Sequence, residues 1–328
     1  VSNFQPGERV DAKEEPTGRA HSGRDHVEKG SVSSFFEPEI VKPVRRIGAR
    51  EFDFSRQVAV MAIVNRTPDS FFDRGRTYAL RAAVDAVLAA AADGADWIDI
   101  GGVPFGPGPE VTEAEELDRV IPVVEAVRAA SDVVISVDTY RTGVARAAID
   151  AGADVINDTS GLQDDALASL VAASQAALVI THSLASPPRT PHPRPAYQDV
   201  AREIAAFLGE RAARAVALGV PPERIIIDPG HDLNKNTRHT LELTRRLSEI
   251  TSIGYPTLAA VSNKDFIGET LDLPAGLRLP GTLAAVVLSI VQGARIVRVH
   301  DVPAAVSAVR LTEAVLGWRE PAYTRHNV

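Results

Sequence analysis

From Val58 onward, short runs of β-branched and other apolar residues alternate with alanine-rich stretches whose apolar positions recur at helical spacing. The strand-like runs are Val58–Val64, Trp97–Gly101, Val133–Val137, Val155–Ile156, Leu178–Ile180, Ile225–Ile227, Thr257–Val261 and Ile296–Val299. Between and after them lie helical faces, among them Leu117, Val120, Ile121, Val124 and Val127, then Ile204, Phe207, Leu208, Ala215 and Leu218, and finally Val302, Val306, Val309 and Leu316. Uniformly apolar strands in strict alternation with helices predict a parallel sheet covered on both faces. Eight such units between residues 58 and 317 fit an α/β fold of the (β/α)8 TIM-barrel kind, which typically takes about 250 residues. The rival is a doubly wound open sheet, which has a glycine-rich turn after its first strand; here that turn reads Asn65-Arg66-Thr67-Pro68.

Residues 1–55 show neither period and read as a disordered or loosely docked N-terminal extension, with Phe35-Phe36 and Ile40-Val41 available to pack on the body. The barrel is expected over 56–320, with a short tail at 321–328. A proline-rich stretch containing Pro187-Pro188 and Pro191-His192-Pro193 follows the fifth strand and reads as a lid or linker.

Composition narrows the function. The chain has 328 residues, 45% hydrophobic and 24% charged, with 35 basic against 43 acidic side chains for a net charge of −8. That balance gives no basic face for a phosphate backbone, so nucleic acid is not an expected partner. There is no cysteine, which removes disulfide, thiolate and iron–sulfur chemistry and leaves His, Asp, Glu and Asn as metal ligands. No apolar run approaches the ~18 residues of a membrane span. No secretory pattern stands near the start, so a cytoplasmic location is the expectation.

Active sites of TIM barrels lie at the carboxyl ends of the strands. There the sequence places Asn65, Asp99, Asp138, Asn157, Thr181-His182, Asp228, Ser262-Asn263-Lys264 and Arg298-Val299-His300-Asp301. Asp, Asn and Ser are also ordinary helix caps, but Lys264, Arg298 and His300 are cations that a helix start disfavours. Only five lysines occur, Lys13, Lys29, Lys42, Lys235 and Lys264, and both in the barrel fall in strand-end loops. Lys264, Arg298 and His300 follow the last two strands, where barrels commonly bind phosphate, so an anion pocket is expected there. The plainer alternative pairs Arg298 with Asp301 or Asp228 in a structural ion pair. Asp138, Asn157 and Asp228 could read a polar heterocycle with several N–H donors and a carbonyl; two carboxylates also suit acid–base or glycosidic chemistry.

The segment Asn65-Arg66-Thr67-Pro68-Asp69-Ser70-Phe71 resembles the Asn-Val-Thr-Pro-Asp-Ser-Phe signature of dihydropteroate synthases. Further segments resemble that family in order: Asp99-Ile100-Gly101-Gly102, Ser136-Val137-Asp138-Thr139, Ile156-Asn157-Asp158, Ile227-Asp228-Pro229-Gly230 with Lys235-Asn236, Ser262-Asn263-Lys264 with Ile267-Gly268, and Arg298-Val299-His300-Asp301-Val302. The Asn-Arg-Thr-Pro-Asp-Ser-Phe variant is similar to that of a divergent actinobacterial paralogue group. The resemblance implies a TIM barrel that binds 6-hydroxymethyl-dihydropterin pyrophosphate, releases pyrophosphate with help from Mg²⁺, and joins the methylene to the amine of 4-aminobenzoate or a related aryl amine in folate biosynthesis. By motif, Asp138, Asn157, Asp228 and Lys264 would hold the pterin. Asn65, Arg66, Arg298 and His300 would hold pyrophosphate, with Asn65 also on the metal; Lys264, Arg298 and His300 would be the catalytic set, and Ser262, Asn263 and Phe105 would face the amine. A homodimer through the last helices, with Val302–Leu316 at the interface, is also implied.

Departures from the family pattern gather on the amine side. Its Gly-Glu-Ser-Thr-Arg-Pro-Gly loop is replaced after Gly102 by Val103-Pro104-Phe105-Gly106-Pro107-Gly108, the arginine of Ser-Arg-Lys is Asn263, Thr181-His182-Ser183 stands for Met-His-Met, and the aromatic loop after Asp-Pro-Gly is His231-Asp232-Leu233-Asn234. Three alternatives follow: a pterin-binding paralogue without synthase activity that serves as sensor or partner, a pterin-dependent methyltransferase, and a metal hydrolase in which His182, His231-Asp232 and His300 converge.

Overall fold

In a computed structural model the described residues are 35–65, 80–104, 108–185 and 194–326. The readings made for residues 1–34, for Arg66 and the rest of its signature segment, for Phe105 and for His192 lie outside them. Two short strands come first, β1 (Val44–Ile47) and β2 (Arg50–Asp53), paired antiparallel around Gly48. Gly48 has a φ of 58°, and a Cβ there would lie 2.5 Å from an Asp154 carboxylate oxygen, so both backbone and space require glycine.

Eight parallel strands follow: β3 (Ala59–Asn65), β4 (Trp97–Gly101), β5 (Val134–Asp138), β6 (Val155–Asp158), β7 (Ala177–Thr181), β8 (Ile225–Asp228), β9 (Leu258–Ala259) and β10 (Ile296–Val299). They are ordered β8-β7-β6-β5-β4-β3-β10-β9. The two ends meet through a parallel bridge between Ile227 and Thr257, with Ile227 N–H donating to Pro256 O at 3.1 Å. The expected (β/α)8 barrel is therefore the fold. Strand β9 is shorter than its apolar run, because it ladders with β10 only at Leu258 and Ala259.

Helices α1 (Leu80–Ala92), α2 (Glu113–Ala130), α3 (Thr142–Asp150), α4 (Asp165–Ala172), α5 (Val200–Ala217), α6 (Thr237–Arg245), α7 (Leu247–Thr251), α8 (Asp265–Leu271), α9 (Leu279–Val291) and α10 (Val302–Val315) surround the strands. Their starts carry the expected chemistry: Thr112 and Glu115 form a capping box on α2, and Asp164, Asp199 and Asp301 cap α4, α5 and α10. None of the described helices is long and apolar enough to cross a membrane.

Period-two alternation gives each strand two faces with different contents. Outward residues such as Val60, Ile98, Ile135, Ile156, Leu178, Ile227 and Val297 pack with the helices. Inward residues Met61, Trp97, Val134, Val155, Val179, Ile226, Leu258 and Ile296 form a separate apolar cluster with Phe52 and Phe54 of the hairpin segment. Those two rings stack at 5.8 Å, and Phe52 meets the edge of Trp97 at 5.6 Å.

Residues 35–55 therefore correct the expected boundary: the hairpin belongs to the folded body. Ile40, Ile47, Phe52 and Phe54 are buried, Arg295 donates to Phe54 O at 2.8 Å, and Phe35, Phe36 and Val41 stay exposed. Two strands of four residues are too short to show a period, and their aromatic residues pack against a barrel end built from distant strands. Replacing Phe52 by Ala should cost about 3–5 kcal/mol, read as a lower denaturant midpoint with an unchanged m-value.

Candidate functional site

The inward face changes character two residues beyond its apolar layer. Following Trp97, Val134, Val155, Ile226 and Ile296 along their strands come Asp99, Ser136, Asn157, Asp228 and Arg298, all but Arg298 buried. Strand pairing then sets Asn65 beside Gly101, Gly101 beside Asp138, and Asp138 beside Asn157. Most of the strand-end groups expected from sequence are thus brought to one end of one barrel.

Asp99 is the hub. One carboxylate oxygen accepts from Ser136 Oγ at 2.6 Å; the other accepts from Arg298 Nε at 2.7 Å and Asn157 Nδ2 at 3.1 Å. Arg298 also reaches Asp138, with 3.5 Å between Nη2 and Oδ2. The ion pair expected with Asp301 or Asp228 is corrected accordingly: Asp301 instead accepts from Ala304 N–H at 3.1 Å as the cap of α10. Asp99 wins because it faces the barrel interior from β4, one strand beyond the intervening β3, and is fully buried, where an unpaired carboxylate would be costly.

Asp138 accepts from Thr159 Oγ1 at 3.2 Å, and burial together with the Asp99 charge pushes its carboxyl up to about 7. Burial likewise raises Asp228 to about 6, against the N–H of Gly230 at 2.7 Å and the Lys264 charge, which favour its anion. Asn157 is buried, and its side-chain oxygen has no hydrogen-bond partner. Two carboxyls poised near neutrality and a buried, unpaired amide oxygen gather groups able to accept and return hydrogen bonds and protons.

The loop after β8 is held from within. Lys235 is buried and its ammonium meets Leu233 O at 2.8 Å, Gly230 O at 2.9 Å and His182 Nδ1 at 3.0 Å. Burial pulls Lys235 down to about 7, and burial with the Lys235 charge holds His182 neutral, at about 2. The His182 ring packs edge-on against Phe207 at 4.8 Å. Gly230 has a φ of 65°, and a Cβ on it would lie 2.3 Å from His182 O. His231 lies in the turn after β8 and is fully buried with neither ring nitrogen bonded; burial first, then the lysine charges, pull it to about 3.

At the last two strands, Ser262 Oγ lies 3.0 Å from His300 Nδ1 and accepts from His300 N–H at 3.2 Å. Asn263 is left-handed, with a φ of 57°. Its N–H donates to Thr282 Oγ1 at 3.0 Å, and its carbonyl accepts from Arg278 at 3.1 Å. Lys264 follows as the N-cap of α8, with its ammonium drawn below the usual lysine range by burial. The three histidines offered for a metal hydrolase do not converge: His182 meets Lys235, His300 meets Ser262, and His231 is buried with neither ring nitrogen bonded; among the described residues no cluster of three or more His, Asp or Glu side chains could hold a metal ion.

The match to the pterin binding enzyme family covers residues 61–300. The chain belongs to that family. It is similar to a Mycobacterium tuberculosis protein named inactive dihydropteroate synthase 2, with 47% identity over 81% of this chain and 85% of that one. It is also similar to the dihydropteroate synthase of Synechocystis, at 38% identity over 88% and 98% of the two chains. Among solved structures, the Xanthomonas albilineans dihydropteroate synthase with 4-aminobenzoic acid aligns with a TM-score of 0.77 at 38% identity, covering 83% of this chain and 98% of that one. The likeness to a dihydropteroate synthase paralogue group read from the signature variant is therefore correct.

Sequence reasoning named Asp99 only as one strand-end group among many and left Ser136 out of the site. Their signal was present, since a polar residue inside an otherwise apolar strand must find a partner. The Lys235–His182 contact had no such signal, because its partners come from loops after different strands.

A pH dependence follows for Asp138. Its folded value lies above that of an unfolded aspartate, so the native state holds a proton that the unfolded chain releases, and the group's stability contribution falls as pH rises from about 4 to 7. Asp138→Asn lacks that slope. Its denaturation midpoint should gain on wild type across this window and run parallel above it, in urea titrations at stepped pH.

Proposed function

We propose that the barrel mouth binds a dihydropterin through Asp138, Asn157, Asp228 and Lys264 and transfers its methylene from pyrophosphate to an aryl amine, the dihydropteroate synthase reaction of folate biosynthesis. One observation carries the pterin half: the unpaired, buried side-chain oxygen of Asn157 stands in the same mouth as two carboxyls held near neutrality. A pterin edge presents N–H donors beside a carbonyl, which carboxylates and an amide can match together.

In the transfer, the methylene carbon–oxygen bond to pyrophosphate breaks, the amine nitrogen bonds that carbon, and the amine loses a proton. No protein nucleophile takes part; the chain's role is orientation and charge stabilisation. Arg298 and His300 would meet the departing pyrophosphate, with Arg66 added from the signature segment. Asn65 ends β3 with its side-chain oxygen over Gly101, 3.2 Å from where a Cβ would stand. A single hard oxygen at the rim suits Mg²⁺ that arrives with phosphate and keeps its waters. Bound there, Mg²⁺ would neutralise charge on the leaving pyrophosphate.

A second reading, pterin binding without turnover, is favoured by Arg298. Its guanidinium is already held by Asp99 and Asp138, so meeting pyrophosphate means sharing or leaving those carboxylates. On the amine side, the Ser262 hydroxyl is engaged with His300, and the Asn263 backbone with Thr282 and Arg278. The mycobacterial relative's name is in line with this reading.

The deciding experiment is mass spectrometry after incubation with Mg²⁺, dihydropterin pyrophosphate and 4-aminobenzoate. Dihydropteroate supports the transferase, and intact substrate bound with measurable affinity supports the second reading. Lys264→Ala and Asp228→Asn should each weaken pterin binding by at least about 30-fold while keeping the far-ultraviolet circular dichroism. Unchanged affinity in both variants removes the pterin site.

A homodimer is proposed through α9 and α10, which pack together and leave Leu288 (55% exposed) and Leu311 (67%) outward. Leu311→Glu should give a monomer by light scattering if that face is the interface.

A further inference from the structure

Lys264 occupies a position for which lysine is poorly suited. As the N-cap of α8 it makes no side-chain cap bond, since an ammonium cannot accept from the first-turn N–H groups, and it sets a cation at the positive end of the helix. The missing acceptor comes from another loop. Asp232 Oδ2 accepts from Phe266 N–H, in the first turn of α8, at 3.2 Å.

Asp232 is built to reach across. It is left-handed, with a φ of 64°, a conformation that aspartate tolerates better than most residues. Its own N–H donates to Thr240 Oγ1 at 3.3 Å, and Thr240 is fully buried on α6. The titratable and charged groups facing Lys264 are Asp232, Arg298, Asp228 and Asp265, together with Lys235 and His231 of the loop after β8, whose own protons its charge disfavours. Asp265 is bonded to Arg278 at 2.9 Å, and Asp228 to Gly230 N–H at 2.7 Å. Of the charges that oppose the burial cost of Lys264, Asp232 weighs most.

We propose that Asp232 is a positioning residue for Lys264: it caps the first turn of α8 from the loop after β8 and balances the ammonium at the mouth. Its consequence for ligand binding rests on the pterin reading above. The departure at His231-Asp232-Leu233-Asn234 then serves the lysine end of the site.

The test uses the full chain with lysine side chains labelled with ¹⁵N, followed by NMR titration. Five lysines keep the spectrum simple, and Lys264→Arg assigns the signal. Asp232→Asn and Asp232→Ser both keep an oxygen able to cap but lose the charge. In each, Lys264 should release its proton at lower pH than in wild type, while Lys42, paired with Glu223 at 2.9 Å, stays unmoved as control. The alkaline limb of 6-hydroxymethylpterin binding should move down in pH with it. Asp232→Ala, without a cap, should also lose about tenfold in pterin affinity across the pH range. A wild-type Lys264 titration in both charge-free variants overturns the proposal. A shifted Lys264 in a protein whose wild type binds no pterin supports the positioning role and removes the pterin reading alone.

Discussion

A carboxylate sealed inside a barrel has to be paired, and the mouth of this protein is arranged around that requirement. Asp99 is fully buried on β4 and takes hydrogen bonds from β5, β6 and β10 through Ser136, Asn157 and Arg298. Each donor is committed to a definite orientation by serving it. With its Nδ2 turned to Asp99, Asn157 leaves its oxygen without a protein partner. Arg298, drawn to Asp99 and Asp138, becomes the cation that any anionic ligand must share. The cost of desolvating one carboxylate is thus converted into the orientation of three other groups.

The barrel separates its two jobs along its axis. One end is apolar, closed by Phe52, Phe54 and Trp97, and can be dense because nothing there needs to move or bind. Two residues further along the same strands, the same inward positions carry Asp, Ser, Asn and Arg. Those groups rest on a packed floor, and the low dielectric beneath them raises Asp138 and Asp228 toward neutrality. The closing segment lies before the first barrel strand, so the N-terminal hairpin contributes to the packing under the site.

The loops after β8 and β9 show how departures from a family pattern can be accommodated. Asn263 has no guanidinium of its own, yet its left-handed turn is clamped by Arg278 through its carbonyl and by Thr282 through its N–H. Lys235 ties the loop after β8 to His182 in the loop after β7. The backbone frame around Lys264 is therefore supported even where the loop residues differ from the family pattern.

The alternation of apolar runs and amphipathic stretches was enough to determine a (β/α)8 barrel, because both signals are local and period-based. The ordered motifs at strand ends identified the family, since each motif is contiguous, and the strand ends share one mouth once the sheet is parallel. What tertiary structure alone decided were pairings across distant strands. Arg298 bonds Asp99 rather than Asp301, although Asp301 is three residues away, because both Arg298 and Asp99 point into the closed barrel from either side of β3, while Asp301 sits at a helix cap. The hairpin of residues 44–53 docks against a barrel end that exists only after closure. Sequence states which groups are available and on which face they lie; only the closed barrel fixes which buried charge must answer which, because desolvation arises from the whole surroundings of a group.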